Sequence, residues 1–111
     1  MISTTTLKNA ARAIECDLWT DSDGANYLAK DGAILRRWEP ETDDGDALRL
    51  AVKLGLSIDL SDPDYDEVRI LEMSGNHLTV FTEGDPLSAV RQAIILTAAR
   101  IGAAIYSPEN H

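Results

Sequence analysis

Trp38-Glu39-Pro40-Glu41-Thr42-Asp43-Asp44-Gly45-Asp46-Ala47-Leu48-Arg49-Leu50-Ala51-Val52-Lys53-Leu54 is the stretch from which the fold is read. Pro40 has no N–H to give to a β-ladder, so a strand arriving from the N-terminal side ends near Trp38. Thr42 or Asp43 can then accept hydrogen bonds from the open N–H groups of a helix start, and the neighbouring carboxylates complement its positive end. Ala47, Leu48, Ala51, Val52 and Gly55 recur at helical spacing, widened by Leu50 and Leu54, and Gly55 is placed to stop the helix.

Toward the N-terminus, residues 25–30 and 33–37 flank Asp31-Gly32, a pair suited to the positive φ angles of a two-residue hairpin turn. Before the turn residues Thr20 to Gly24, the apolar positions Leu7, Ala10, Ala11, Ile14 and Leu18 repeat with helical period, which predicts a first helix ending near Trp19.

Toward the C-terminus, Leu56 to Ser61 alternates apolar with polar and reads as a strand covered on one face. Glu67 to Met73 and His77 to Glu83 follow as two further strands, joined by Asp62-Pro63-Asp64-Tyr65-Asp66 and by Ser74-Gly75-Asn76. A last helix starts at Gly84-Asp85-Pro86 and runs to about Tyr106, burying Leu87, Val90, Ala93, Ile94, Ala98, Ile101 and Ile105. Ala98, Ala99, Gly102 and Ala103 leave it a face that another backbone can approach closely, a candidate surface for a homo-oligomer.

The expected order is α-ββ-α-βββ-α: one α+β domain over residues 1–111, an α/β/α-sandwich-like unit with a mostly antiparallel sheet. Whether helices lie on one face of the sheet or both is left open.

The net charge of −9 is concentrated, since residues 38–86 hold three bases against thirteen acids. Backbone contacts to nucleic acid need clustered Lys or Arg, so direct nucleic-acid binding is not expected. A partner with a basic surface is compatible with such a face, and so is plain solubility. Cys16 is the single cysteine, which excludes an intramolecular disulfide and a cysteine-based zinc site and favours a reducing, cytoplasmic setting. The first residues lack the pattern of a signal peptide, and the apolar tract around residues 93–99 is far shorter than the roughly 20 residues of a membrane span.

Chemistry is sparse. A calcium loop starting at Asp62 would place Asp64 and Asp66 in register but puts Glu67 where glycine belongs and Met73 where the bidentate glutamate belongs. Ser74-Gly75-Asn76-His77 is turn chemistry, and no known nucleophile, nucleotide or zinc-protease motif occurs. No cofactor, metal or catalytic residue is expected. Trp38 reads first as a core anchor at the helix entry. The candidate binding residues are Trp38, Asp43, Asp44, Asp46 and Arg49, with Arg49 oriented by Asp46 and with Trp19 and Tyr27 beside them, together with Asp62, Asp64 and Asp66.

The block W-E-P-E-T-D-D-G-D-A-L-R-L-A-V-K-L resembles a set of phage and prophage proteins, the phage ABA sandwich domain family. The helix ending through Val90-Arg91-Gln92-Ala93-Ile94 and Ala98-Ala99-Arg100-Ile101-Gly102 is similar in texture to that family's ending, while Glu39 and Glu41 depart from its pattern. The resemblance implies phage origin and an α/β/α arrangement and brings no reaction with it.

Two expectations follow. The first is a non-enzymatic phage accessory protein that acts in the host cytoplasm, binding a basic host macromolecule through the acidic middle, as a counter-defence inhibitor or nucleic-acid mimic. The alternative is a small-ligand or nucleotide-binding module, or a modest enzyme, with a pocket near Trp38 and Arg49. Only Arg49, Lys53 and Arg69 in the middle could hold a phosphate.

Overall fold

The computed structural model describes residues 2–60, 67–81 and 85–105. The elements are α1 (Thr4–Ala13), β1 (Asp17–Thr20), β2 (Asn26–Lys30), β3 (Ala33–Arg37), α2 (Asp44–Leu54), β4 (Ser57–Asp59), β5 (Glu67–Leu71), β6 (His77–Phe81) and α3 (Pro86–Ile105). The α+β class and the expected succession are there, with β1 as one strand more before the hairpin. The acidic loop from Asp62 to Asp66 and the tail from Tyr106 onward lie outside the described residues.

The added strand comes from an early helix stop. The N–H groups of Glu15 and Cys16 turn back to the carbonyls of Arg12 and Ala11, and Glu15 takes a left-handed φ of 61°. Glycine usually occupies that position, so nothing in the residue types marks the end. Leu18 therefore leaves the expected helix and sits opposite Leu28 in an antiparallel β1–β2 ladder. α2 ends with the same pair of bonds, from Gly55 to Val52 and from Leu56 to Ala51, and there glycine does announce it.

The strands divide into two sheets, β1-β2-β3 and β4-β5-β6, each an antiparallel meander of sequence neighbours with α2 between them. The β2–β3 turn is the expected one, with Asp31 at φ 53° and Gly32 at φ 81°. α3 covers one face of the second sheet at β5 and β6, while the first sheet meets α1 mainly through β1 and its β3 stays exposed along its length. Leu18 and Leu28 point inward while Trp19 and Tyr27 pair on the open side, and in β5 buried Val68 and Ile70 alternate with exposed Arg69 and Leu71.

α3 is the hub, packing on α1, α2, β5 and β6. By length and composition alone it could cross a membrane, yet Ala93, Ile94, Ile95 and Ala98 are buried among these neighbours. Leu87 and Ile105, expected to be buried, are 60% and 59% exposed, because contacts from several sides shift its buried surface toward Ile95 and Thr97. Its small-residue face is filled from within the chain: a Cβ on Gly102 would lie 1.8 Å from the Asn9 carbonyl oxygen of α1. Ala10 and Ala11 complete this close seam.

Two outcomes are expected in thermal unfolding. Gly102→Ala forces the helices apart, and the overpacking exceeds the gain in helix propensity, lowering stability by about 2 kcal/mol. An unchanged melting temperature would mean that the seam is not this tight. Thr97 is fully buried and its Oγ1 has no hydrogen-bond partner among the described residues. Thr97→Val keeps the shape and removes the orphan hydroxyl, so stability should rise by about 1 kcal/mol. A loss of stability would show that the hydroxyl is in fact bonded.

Candidate functional site

Asp43 opens α2 as its N-cap, its Oδ2 accepting from the Asp46 N–H at 2.9 Å. In a capping box the third helical residue would bond back to the cap's own N–H. Here Asp46 reaches further, and its Oδ2 accepts from the Glu39 N–H at 2.8 Å, while the Asp43 N–H donates to the Glu39 carbonyl. Glu39 in turn holds the start of β2, accepting from the Asn26 N–H at 3.0 Å. Trp38 continues the sheet by donating its N–H to the Asn26 carbonyl, and its side chain is 2% exposed. The block is thus a strand exit tied to a helix start.

The other oxygen of Asp46 gathers two arginines. Arg49, one turn along α2, donates from Nη2 to Oδ1 at 2.7 Å, and Arg36 on β3 donates to the same atom at 2.9 Å. Both guanidiniums keep donors with no protein acceptor among the described residues: Nη1 of Arg36, and Nε and Nη1 of Arg49. Gly45 makes room for this, since a Cβ there would stand 3.2 Å from Arg49 Nη2. Burial pushes the Asp46 carboxyl up, but the Glu39 N–H, the Arg49 hydrogen bond and the charges of Arg36 and Arg49 outweigh it and hold the group below the usual aspartate value.

Three of the expected acids have roles within the fold, although Asp43 and Asp44 keep more than half of their side chains exposed. Asp43 caps, and Asp46 clamps. Asp44 pairs with Arg91 of α3 at 2.6 Å, and Arg91 also donates to the Glu41 carbonyl at 2.8 Å. Arg49 is oriented by Asp46 as expected. Trp19 and Tyr27 lie on the open side of the first sheet, away from Trp38. Asp62, Asp64 and Asp66 lie outside the described residues.

A cleft of about 300 Å³ lies between the inner face of β2–β3 and α2. Ile14, Leu28, Leu35, Leu50 and Trp38 give it apolar walls, and Lys30, Arg36, Arg49 and Lys53 bring four cations against the Asp46 carboxylate of the lining, with Asp43 a further 3.6 Å ion-pair partner of Arg49. A β-bulge builds it: the register shifts between Leu28 and Ala29, so Leu35 has no partner and both Leu35 and Arg36 line the cleft. Leu35 is left 56% exposed. Neither Lys30 nor Lys53 has an ion-pair partner among the described residues. At the α1 end Cys16 joins the lining, its thiol raised by burial against the opposing charge of Lys30 and, more weakly, Lys53.

Lys30 and Arg36 were not among the expected binding residues, and Lys53 was expected only as one of the few bases able to hold a phosphate. Asp46, Arg49 and Lys53 were legible as one helical face from their spacing. The bulge had no visible signal, and it is what brings Arg36 to them. No protein-family model, curated protein or solved structure matches the chain.

Asp46→Asn should lower stability by about 2 kcal/mol at neutral pH, limited by rehydration of the half-exposed arginines. Because the folded group titrates below the usual 3.8, its contribution is present above that value and lost as pH falls through the folded pKa. Urea unfolding should therefore show the two proteins converging in acid below 3.8. Parallel stability curves would contradict the clamp.

Proposed function

We propose that this protein is a small-ligand binding module of the phage accessory type, acting by binding in the host cytoplasm and taking an anion in the cleft between β2–β3 and α2. The observation that carries this reading is the convergence of Lys30, Arg36, Arg49 and Lys53 on one apolar-walled cleft of a chain whose net charge is −9. Cations collected against the sign of the whole chain do not serve its solubility, which acids serve better. Nor do distant acids cancel them, because charges beyond about 8 Å are largely screened at physiological salt.

Binding fits better than catalysis. The Asp46 carboxylate accepts from three donors and is held toward its ionised form, so it is poorly matched to proton exchange near neutral pH. The Cys16 thiol is held toward its protonated form, which makes it a weak nucleophile. The likeness of residues 38–54 to the phage ABA sandwich proteins supports the phage setting.

A second reading keeps one supporting observation. Glu15, Asp17 and Asp31 share a shallow cleft of about 440 Å³ with Arg12 and Lys30, beside the end of α1. With the net charge, this supports capture of a host protein through its basic surface, retained at low salt and released at high salt in a pull-down. Retention that ignores salt would remove that support.

The anion reading is tested by amide NMR during titration with octanoate and, separately, AMP. At least one should give saturable shifts at residues 28–30, 35–36 and 49–53, weakened about tenfold in a Lys30→Gln/Lys53→Gln variant. No saturable shift with either, or shifts confined elsewhere, would overturn it.

A further inference from the structure

We infer that the ligand of this cleft is an amphiphilic anion, a compact apolar body carrying a phosphate or carboxylate head, and not a nucleotide; the inference rests on the cleft being the binding site. The walls supply aliphatic surface from Ile14, Leu28, Leu35 and Leu50. Leu35 is the telling residue. A bulge pushes a leucine into the cleft mouth at 56% exposure, where an apolar ligand would cover it.

A nucleobase finds little to hold it there. Trp38 is 2% exposed, too little to offer the open ring face that stacking needs. Recognition of a base edge also needs paired donors and acceptors, and both oxygens of Asp46, the one carboxylate among the described lining residues, already accept from Arg36, Arg49 or the Glu39 N–H. The remaining charged groups are cationic donors, suited to an acid head and to nothing that must itself donate a hydrogen bond.

The cleft also has a direction. At the Cys16 end its lining runs into the neighbouring cleft with Glu15, Asp17 and Asp31, which repel an anion. At the α2 side Arg49 and Lys53 stand one helical turn apart, with Arg36 beside Arg49 on Asp46. The open guanidinium donors and the Lys53 ammonium therefore receive the head, and the apolar body lies across Leu28 and Leu35 toward Ile14. The volume of about 300 Å³ sits at the small end of ligand sites and fits a short chain or one ring.

Isothermal titration with octyl phosphate, octanoate, AMP and inorganic phosphate tests this. Octyl phosphate, octanoate or both should bind at least about tenfold more tightly than AMP and inorganic phosphate, the gain expected from covering a few methylenes. Which of the two binds more tightly identifies the head. Leu35→Ser, at an exposed position and checked for folding by circular dichroism, should weaken the octyl ligands about tenfold and leave inorganic phosphate unchanged. AMP binding as tightly as the octyl ligands would overturn this inference and leave the anion site standing, and so would inorganic phosphate matching them. A Leu35→Ser variant with unchanged octyl affinity would also overturn it. Absence of binding by all four would remove the anion site as well.

Discussion

One carboxylate organises the centre of this protein. Asp46 is 5% exposed and accepts from the Glu39 N–H, from Arg49 on its own helix and from Arg36 on β3. Through those contacts it sets the angle at which the chain passes from the first sheet into α2. It also holds two guanidiniums side by side that would otherwise repel. A buried charge is costly when unpaired, and here both carboxylate oxygens have partners, two of them cationic. The acidic block thus stabilises the fold while arming the cleft beside it with cations.

That arrangement changes how the charge of the chain is understood. The acids of residues 38–46 looked like a free patch, but Asp43, Asp44 and Asp46 are each engaged in a cap or an ion pair, and of the three only Asp46 is buried. Two of the cations in the cleft, Lys30 and Arg36, come from the hairpin that precedes the acidic middle. Linear charge counting placed too few bases near Arg49 because it could not see that the hairpin brings Arg36 onto Asp46 and Lys30 into the same cleft.

What the residues revealed beforehand followed from local chemistry. Pro40, Asp43 and Gly55 mark the limits of α2, and Asp31-Gly32 marks the hairpin turn, because each residue does there what its backbone favours. The stop of α1 was not legible, since Glu15 adopts a left-handed conformation without glycine to signal it. The division into two sheets was hidden because pairing between strands is a long-range matter. The bulge at Leu35 lies in a local hairpin pairing, but no residue type there marks the extra residue, so it was hidden too, and with it the cleft. The small-residue face of α3 was read correctly as a place for close approach, and its occupant is the backbone of α1.

Other apolar surfaces remain open on this molecule, notably the groove between α2 and α3 lined by Leu48, Leu87 and Val90, and the Trp19–Tyr27 face of the first sheet. They give the account its sharpest competitor sites. Intermolecular nuclear Overhauser contacts from bound octanoate decide among them. The account predicts contacts from its chain protons to the methyl groups of Leu28, Leu35 and Leu50. Contacts to Leu48, Leu87 and Val90, or to the rings of Trp19 and Tyr27, would contradict it.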